Sequence, residues 1–354
     1  MSTVLVTGGA GFIGSNFVRH LRRLRPDWHL VNLDLLTYAG NPENLADLAG
    51  DPLYTFVRGD IADWQTVASL FARHPIRRVV HLAAETHVDR SILDPGVFVR
   101  TNVVGTYHLL EAARQAWKDL PEASSCRFLH VSTDEVYGSL GAEDPPFTEA
   151  SPYAPSSPYS ASKAAADWLA HSYFRTYRFP VLITNCSNNY GPYQFPEKLI
   201  PFALCQALEG KPVPIYGAGA NVRDWLFVED HCEALLQVLE KGAVGETYNI
   251  GGNQEKNNLD LVRLLLGLLG NARPGLGDLE SLITFVPDRP GHDWRYALNI
   301  QKISGTLGWR PRITLEEGLT RTIAWYLGHQ EWLERVRTGE YRRFLETQYG
   351  RAVM

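Results

Sequence analysis

Two side chains able to move protons stand four residues apart in Tyr159-Ser160-Ala161-Ser162-Lys163, which puts a phenol and an ammonium on one face of a helix. A free tyrosine titrates near pH ~10 and is a poor base at neutral pH, but a neighbouring cation favours the phenolate. Alone, the pair is also a common chance pattern on an amphipathic surface helix. Upstream, Ser132-Thr133-Asp134-Glu135-Val136-Tyr137-Gly138 adds a hydroxyl and two adjacent carboxyls. Thr133 can hydrogen-bond a reacting hydroxyl, and environment can divide Asp134 and Glu135 into an acid and a base. In isolation the same stretch reads as a solvated acidic turn with a helix cap.

A second motif supplies context. In Val4-Leu5-Val6-Thr7-Gly8-Gly9-Ala10-Gly11-Phe12-Ile13-Gly14, glycines lie between a β-branched run and an amphipathic one. Gly9, Gly11 and Gly14 fit one dinucleotide spacing, and Gly8, Gly11 and Gly14 fit its variant. Glycine is needed there because the backbone must turn sharply and approach a diphosphate, whose charge the following helix N-terminus receives. Asp34 ends the next apolar run, about 20 residues beyond the last glycine. Its carboxylate would accept both adenosine ribose hydroxyls and repel a 2′-phosphate, favouring NAD over NADP. The positive nicotinamide ring would join Lys163 in lowering the Tyr159 pKa, and hydride could leave the carbon whose hydroxyl Tyr159 deprotonates. Asp60 reads either as a partner of the adenine amine or as the N-cap of a helix beginning near Trp64.

These residues require elements to hold them. Strands are expected at Val4–Thr7, Leu30–Asp34, Tyr54–Arg58, Arg78–Leu82, Phe128–Ser132 and Val181–Asn185. Helices are expected at Phe12–Leu24, Trp64–Arg73, Val97–Trp117 and Tyr159–Tyr177, the third announced by Asp94 as N-cap and Pro95 at its first position. The strands read as nearly continuous apolar runs, so the fold class is α/β, a doubly wound parallel (Rossmann) sheet covered on both faces. After Tyr190 the rhythm breaks at Pro192, Pro196, Pro201, Pro212 and Pro214, and one further strand is expected at Glu246–Ile250. The chain divides into a dinucleotide-binding domain over residues 1–190, with elements returning around 221–250, and a smaller substrate-binding domain with C-terminal helices over 191–354.

Composition narrows the class. The chain has 354 residues, 45% hydrophobic and 21% charged, which describes an ordinary globular protein. A net charge of −5 argues against general nucleic-acid binding. Cys126, Cys186, Cys205 and Cys232 are dispersed, so reduced core thiols are expected rather than a disulfide framework or a metal site. No apolar run approaches the ~20 residues of a membrane span, and no leader pattern precedes the glycine motif, so a cytoplasmic location is expected.

With these pieces assembled, the chain resembles the extended short-chain dehydrogenase/reductase family, and within it the nucleotide-sugar 4,6-dehydratases. The stretches that carry the resemblance are Thr7–Ser15, Thr37-Tyr38-Ala39-Gly40-Asn41, Leu82–Ser91, Ser132–Gly138, the Tyr159/Lys163 pair, Asn185–Pro192, Asn221–Trp225 and Asp288–Asp293. It implies bound NAD and a redox-neutral reaction on a nucleotide sugar, dTDP-glucose, in which Tyr159 takes the 4-hydroxyl proton. Glu135 would remove the C5 hydrogen and Asp134 would protonate the departing C6 hydroxyl, assisted by Thr133 and Lys163. The cofactor would be lined by Gly8, Gly11, Phe12, Ile13, Gly14, Asp34, Leu35, Thr37, Asp60, Ile61, Leu82, Ala83, Ala84, Thr101 and Asn189. The nucleotide sugar would meet Thr86, Asn188, Lys198, Leu199, Pro214, Tyr216, Arg223, Asn258, Arg289 and His292.

Arg223 and Arg289 suit a diphosphate through planar forks, or salt bridges to Asp224 or Glu229 and to Asp288 or Asp293 respectively. His231 reads as structural. Thr86, Leu35 and Trp294 stand where the family often has Ser, Lys and Arg. Two alternatives share the first half: a UDP-glucose 4,6-dehydratase, or a 4-epimerase, which needs no carboxylate pair. A non-catalytic NAD-binding regulator would be expected to lack some of Tyr159, Lys163, Asp134 and Glu135. A homodimer formed through the two long helices completes the expectations.

Overall fold

The computed structural model describes residues 2–120, 125–288 and 291–337. Six parallel strands come first: β1 (Thr3–Thr7), β2 (His29–Asp34), β3 (Tyr54–Arg58), β4 (Ile76–His81), β5 (Arg127–Thr133) and β6 (Val181–Cys186). A seventh, β10 (Thr247–Ile250), returns from the second half, giving the order β10-β6-β5-β4-β1-β2-β3. All residues of β1 and β6 are buried, whereas the edge strand β3 is only partly covered, which is why its run mixes polar residues.

Helices cover both faces. On one, α1 (Phe12–Leu24) packs beside α8 (Val228–Lys241) around Val4, Leu129, Leu182 and Leu235. On the other lie α2 (Trp64–Arg73), α5 (Thr106–Trp117) and α6 (Pro158–Tyr177) around Leu5, Val79, Phe128 and Leu109. The start of α6 is a reciprocal cap: Ser160 N donates to Ser157 Oγ at 3.1 Å and Ser157 N to Ser160 Oγ at 3.0 Å, with Pro158 in the first turn. Arg178 ends it in a left-handed conformation, φ 55°.

The expected helix over 97–117 is not one helix. α3 (Val88–Leu93), α4 (Pro95–Phe98) and a π-helical stretch, Val99–Gly105, precede α5. Asp94 precedes Pro95 as the α4 N-cap but its side chain makes no capping bond. Buried Asn102 gives a reason for the π stretch: its amide accepts from Glu85 N at 2.9 Å and donates to Glu85 O at 3.0 Å and Ser162 Oγ at 2.9 Å. A polar side chain that buried needs partners, and the wider turn aims it at them.

The second half holds more strand than the single one expected. β7 (Asn188–Tyr190), β9 (Val222–Phe227) and β11 (Glu255–Asn257) form a three-stranded sheet, and β8 (Val213–Tyr216) pairs β12 (Ile283–Val286). They pack with α7 (Leu199–Leu208), α9 (Asn258–Ala272), α11 (Leu315–Gly328) and α12 (Gln330–Val336) on a separate apolar core around Tyr190, Phe227, Leu265 and Leu319. α10 (Gln301–Leu307) lies against β10. These strands escape the periodicity because they are short and because charged Arg223 and Asp224 are buried within β9.

All four cysteines are buried. No helix among the described residues is long and apolar enough to cross a membrane.

The β1–α1 turn sets the position of the helix N-terminus. Gly8 has φ +73°, and a Cβ on Gly14 would stand 2.0 Å from Gly8 O. At Gly11 the nearest protein atom to a Cβ is Gly8 O at 3.4 Å. Gly14→Ala should therefore cost about 1–3 kcal/mol by overpacking, while Gly11→Ala should leave the fold near wild type. Thermal melts of the two variants check this; equal melting temperatures would refute it.

Candidate active site

A cleft opens at the carboxyl ends of the strands, where β1 and β4 diverge in chain order. Its first half is lined by Gly8, Gly11, Phe12, Ile13, Gly14, Asp34, Leu35, Thr37, Asp60, Ile61, Leu82, Ala83, Ala84 and Thr101. α1 begins at Gly11 with no side-chain cap, so its N-terminal turn presents backbone to the cleft. The bare Cα of Gly11 leaves space there that any side chain would fill. Asp34 accepts from Ala10 N at 2.9 Å on one oxygen and from Leu36 N at 2.8 Å on the other. Burial raises its pKa, and the two N–H groups oppose that rise. Each oxygen keeps a lone pair for a ribose hydroxyl. An uncapped helix end and a facing carboxylate fit the adenosine diphosphate half of NAD.

Asp60 lines the same wall but caps nothing at α2: Asp63 is that cap, accepting from Gln65 N at 3.1 Å. Asp60 instead accepts from Ala62 N at 2.8 Å and pairs with Arg100 at 2.9 Å. Asn189 reaches the cleft with its amide fixed by His231 Nδ1 at 2.9 Å and Ser187 O at 2.9 Å. Burial lowers the His231 pKa to about 3, so the ring is a neutral orienting group.

At the deep end Thr133, Asp134, Glu135, Tyr159 and Lys163 come together. β5 ends at Thr133, which caps the next turn by accepting from Glu135 N at 3.3 Å; that turn delivers both carboxyls. Lys163 is buried, and its Nζ donates to Val131 O at 2.8 Å. Asp134 is 2% exposed, so it is no solvated turn residue. Burial, then Glu135 and Asp224, push its pKa well up, against Arg223 and a hydrogen bond with Thr133. Its Oδ2 has no hydrogen-bond partner among the described residues.

The Tyr159 phenol does not follow the expected downward shift. Burial, then Glu135 and Cys186, raise it, and a hydrogen bond with Thr133 is the opposing influence. Burial outweighs the rest: the enclosed phenol loses the water that would stabilise a phenolate, and Glu135 adds to the rise.

The proposed sugar residues fall in two groups. Thr86, Asn188, Lys198 and Leu199 line the cleft, and Lys198 Nζ donates to Thr86 O at 3.2 Å. Pro214, Tyr216, Arg223, Asn258 and His292 are outside that lining, gathered on β8, β9, the start of α9 and the segment after β12. There the Tyr216 and His292 rings lie 6.1 Å apart, and His292 Nδ1 meets Asp288 at 2.6 Å. Arg223 is buried within β9. It donates to Val222 O at 2.7 Å, Asp293 O at 3.0 Å and Trp294 O at 3.3 Å, because a buried guanidinium must satisfy its many N–H groups. Arg289 lies outside the described residues. Leu35 and Trp294 are both exposed.

Three neighbours of the reactive end were missed in the sequence. Cys186 faces Lys163 and Asp134, and burial lifts its thiol to about 12. Glu197, buried in the cleft wall, pairs with Arg90 at 3.4 Å. Asp167 is fully buried beneath Lys163; its spacing of four from Lys163 and eight from Tyr159 was the available signal.

Sheet, glycine turn, Asp34 and the Tyr159/Lys163 pair together define an extended short-chain dehydrogenase/reductase. A profile described as GDP-mannose 4,6 dehydratase matches residues 5–322. The dTDP-glucose 4,6-dehydratase of Neisseria meningitidis serogroup B is 55% identical over 97% of this chain and 98% of its own. The crystal structure of the Streptomyces venezuelae dTDP-glucose 4,6-dehydratase DesIV, with NAD bound, has a TM-score of 0.86 at 47% identity, covering 94% of this chain and 99% of that one. The Thermus thermophilus UDP-glucose 4-epimerase, also with NAD, is more distant at TM-score 0.80 and 30% identity, covering 92% of this chain and 99% of its own. This chain belongs to the dTDP-glucose 4,6-dehydratase family.

The buried acid has a measurable consequence. Asp134 has a folded pKa above its unfolded value of about 3.9, so its ionised form disfavours the fold. The associated stability is complete below the unfolded pKa and is lost as pH rises through the folded one. Asp134→Asn should melt above wild type at neutral pH, with the gain shrinking toward pH ~3.9. Melting curves that differ by a constant amount at every pH would contradict it.

Proposed function

We propose that this chain is an NAD-dependent lyase that converts dTDP-glucose to dTDP-4-keto-6-deoxyglucose and water. The observation that carries the reading is the Thr133-Asp134-Glu135 turn beside Tyr159 at the end of the cleft. An epimerase needs only the phenol and the hydride carrier; elimination across C5–C6 needs a base and an acid besides. The higher identity to dehydratases than to the epimerase agrees with this.

Bound NAD supplies the hydride acceptor at C4 and, after elimination, the hydride donor at C6. Tyr159 accepts the proton of the 4-hydroxyl, with the Thr133 hydroxyl hydrogen-bonded to the phenol. The positive charge needed to bring the phenol's pKa down comes from the oxidised ring together with Lys163. The 4-ketone acidifies the C5 hydrogen, which Glu135 removes. Asp134, whose environment keeps a proton on it, gives that proton to the C6 hydroxyl, and water leaves. Glu135 returns its proton to C5 as hydride reaches C6. Lys163 would hold the cofactor at the reactive end, and Asp34 its adenosine ribose.

In this reading Thr86, Asn188, Lys198, Leu199, Pro214, Tyr216, Asn258 and His292 line the nucleotide-sugar site, and Arg223 and Arg289 engage its diphosphate. Residues 1–190 with the returning strand β10 serve the cofactor, and the remainder serves the nucleotide sugar. A cytoplasmic enzyme is in keeping with Cys186, Cys205 and Cys232 standing as buried thiols outside any disulfide.

Two tests apply to the reaction. Wild type given dTDP-glucose should form a 4-keto sugar, read by its alkaline absorbance; a galactose-configured product instead would sink dehydration. Glu135→Gln should still reduce the nicotinamide but suppress C5 hydrogen exchange with solvent, and exchange at the normal rate would remove Glu135 from its role. Tyr159→Phe should abolish both steps.

The protein also acts as a homodimer in this proposal. Leu93, Val97, Val99 and Tyr107, with Trp168 and Tyr177 on α6, expose apolar surface on the helices of one face. Sedimentation at micromolar concentration should give a dimer, and a monomer there would refute it.

A further inference from the structure

We propose that Asp167 is a positioning residue for the dehydration: from the buried side of α6 it keeps Lys163 an ammonium and ties the end of β5 to that helix. The inference rests on the proposed function for the roles of Lys163 and Tyr159 and for the substrate used to read it.

Tyr159, Lys163 and Asp167 follow one another at successive turns of α6, on one face. Asp167 is fully buried. His130 Nε2 approaches Oδ1 at 2.9 Å, while Ser132 Oγ donates to Oδ2 at 2.8 Å and Tyr153 OH at 3.0 Å. Three neutral donors on two oxygens suit an ionised carboxylate. Two of them, His130 and Ser132, flank Val131, whose carbonyl receives Lys163 Nζ at 2.8 Å. The same strand end then runs into Thr133 and Asp134. One carboxylate thus fixes both the strand that delivers the acid and the helix that delivers the phenol.

Charge gives it a second task. Burial lowers the Lys163 pKa, and the facing groups that raise it are Asp167 first and Cys186 second. Burial in turn raises the Asp167 pKa to about 6, opposed most by Lys163. The other groups facing Asp167 are His171 on α6, Tyr137 in the turn after β5, and the His130, Ser132 and Tyr153 already named. His130 is held well below the usual histidine range by burial, with Lys163 adding to the shift, so it stays neutral. Lys163 and Asp167 are therefore the opposite charges of this buried layer. A neutral Lys163 could not help the cofactor ring draw Tyr159 toward phenolate.

Asp167→Asn keeps the size and the acceptor oxygen but removes the charge. In single turnover of the holoenzyme with dTDP-glucose, the absorbance of reduced nicotinamide reports the first hydride transfer. The acid limb of its pH profile should move up by about one unit, a rate loss of about tenfold at neutral pH. Asp167→Glu should return the limb toward wild type. A limb that stays put or moves down, with a uniform rate loss, would show that Asp167 only braces the helix.

Should Asp167→Asn fail to fold, the wild-type holoenzyme still decides the matter. With isotopically labelled lysine, the Lys163 resonance, assigned by its loss in Lys163→Arg, should keep ammonium shifts through neutral pH and change in step with Asp167 protonation on acidification. A neutral amine, or an unresponsive signal, overturns the proposal. Wild type that reduces no nicotinamide with dTDP-glucose would refute the substrate reading alone, because the resonance needs only bound NAD.

Discussion

Lys163 reaches from α6 to the carbonyl of Val131, two residues before the strand β5 ends. A buried ammonium with so few places to put its protons can occupy only a narrow range of positions, and α6 must keep a matching register against the sheet. That register determines where Tyr159 stands, one turn nearer the helix start, and how far it lies from the Thr133 turn. The reciprocal serine cap and Pro158 start the helix at the right residue, and Asp167 anchors the next turn. Chemistry at this site is thus a consequence of one helix being held against one strand end by polar contacts beneath the cleft.

Burial of these groups opposes stability. Asp134 has an unpartnered oxygen and a carboxyl whose environment resists ionisation. Each unpaired buried polar atom costs about 1–3 kcal/mol. The surrounding apolar layers on both sheet faces supply what offsets it. The same desolvation that weakens the fold favours a proton on Asp134, which the acid role proposed for it requires.

Much of the first half could be read without coordinates, because a sheet covered on both faces demands apolar runs and its turns demand glycine. β3 and α1 match the sequence reading residue for residue. The π-helical stretch could not be read, since its cause is Asn102 meeting Glu85 and Ser162, residues distant along the chain. Of the two readings of Asp60, the helix cap gives way to Asp63, three residues on, which holds that place. Most strands of the second half were invisible for a related reason: Arg223 and Asp224 satisfy their charge inside the fold, so β9 does not look like a strand. At the site, residue types and spacing singled out side chains that the fold brings together, but not the direction of the Tyr159 shift. That depends first on how deeply the phenol is buried and then on Glu135 beside it, which no spacing encodes.

The two halves of the molecule meet through short strands rather than through a hinge. β7 follows β6 after a single residue and pairs with β9, setting Asn188 opposite Trp225 in register. Asn188 belongs to the cleft, whereas Arg223, two residues before Trp225, belongs to the second group. Arg223 lowers the Asp134 pKa and Asp224 raises it, and Asp224 is held by Gly252 N at 2.8 Å and Gln254 N at 2.7 Å. The charge state of the acid is therefore set partly by the strand that carries the residues assigned to the nucleotide sugar. A ligand anion drawing on Arg223 would weaken its hold on Asp134 and favour the protonated carboxyl. Substrate binding and readiness of the acid would then be linked through one strand, without any movement of the sheet.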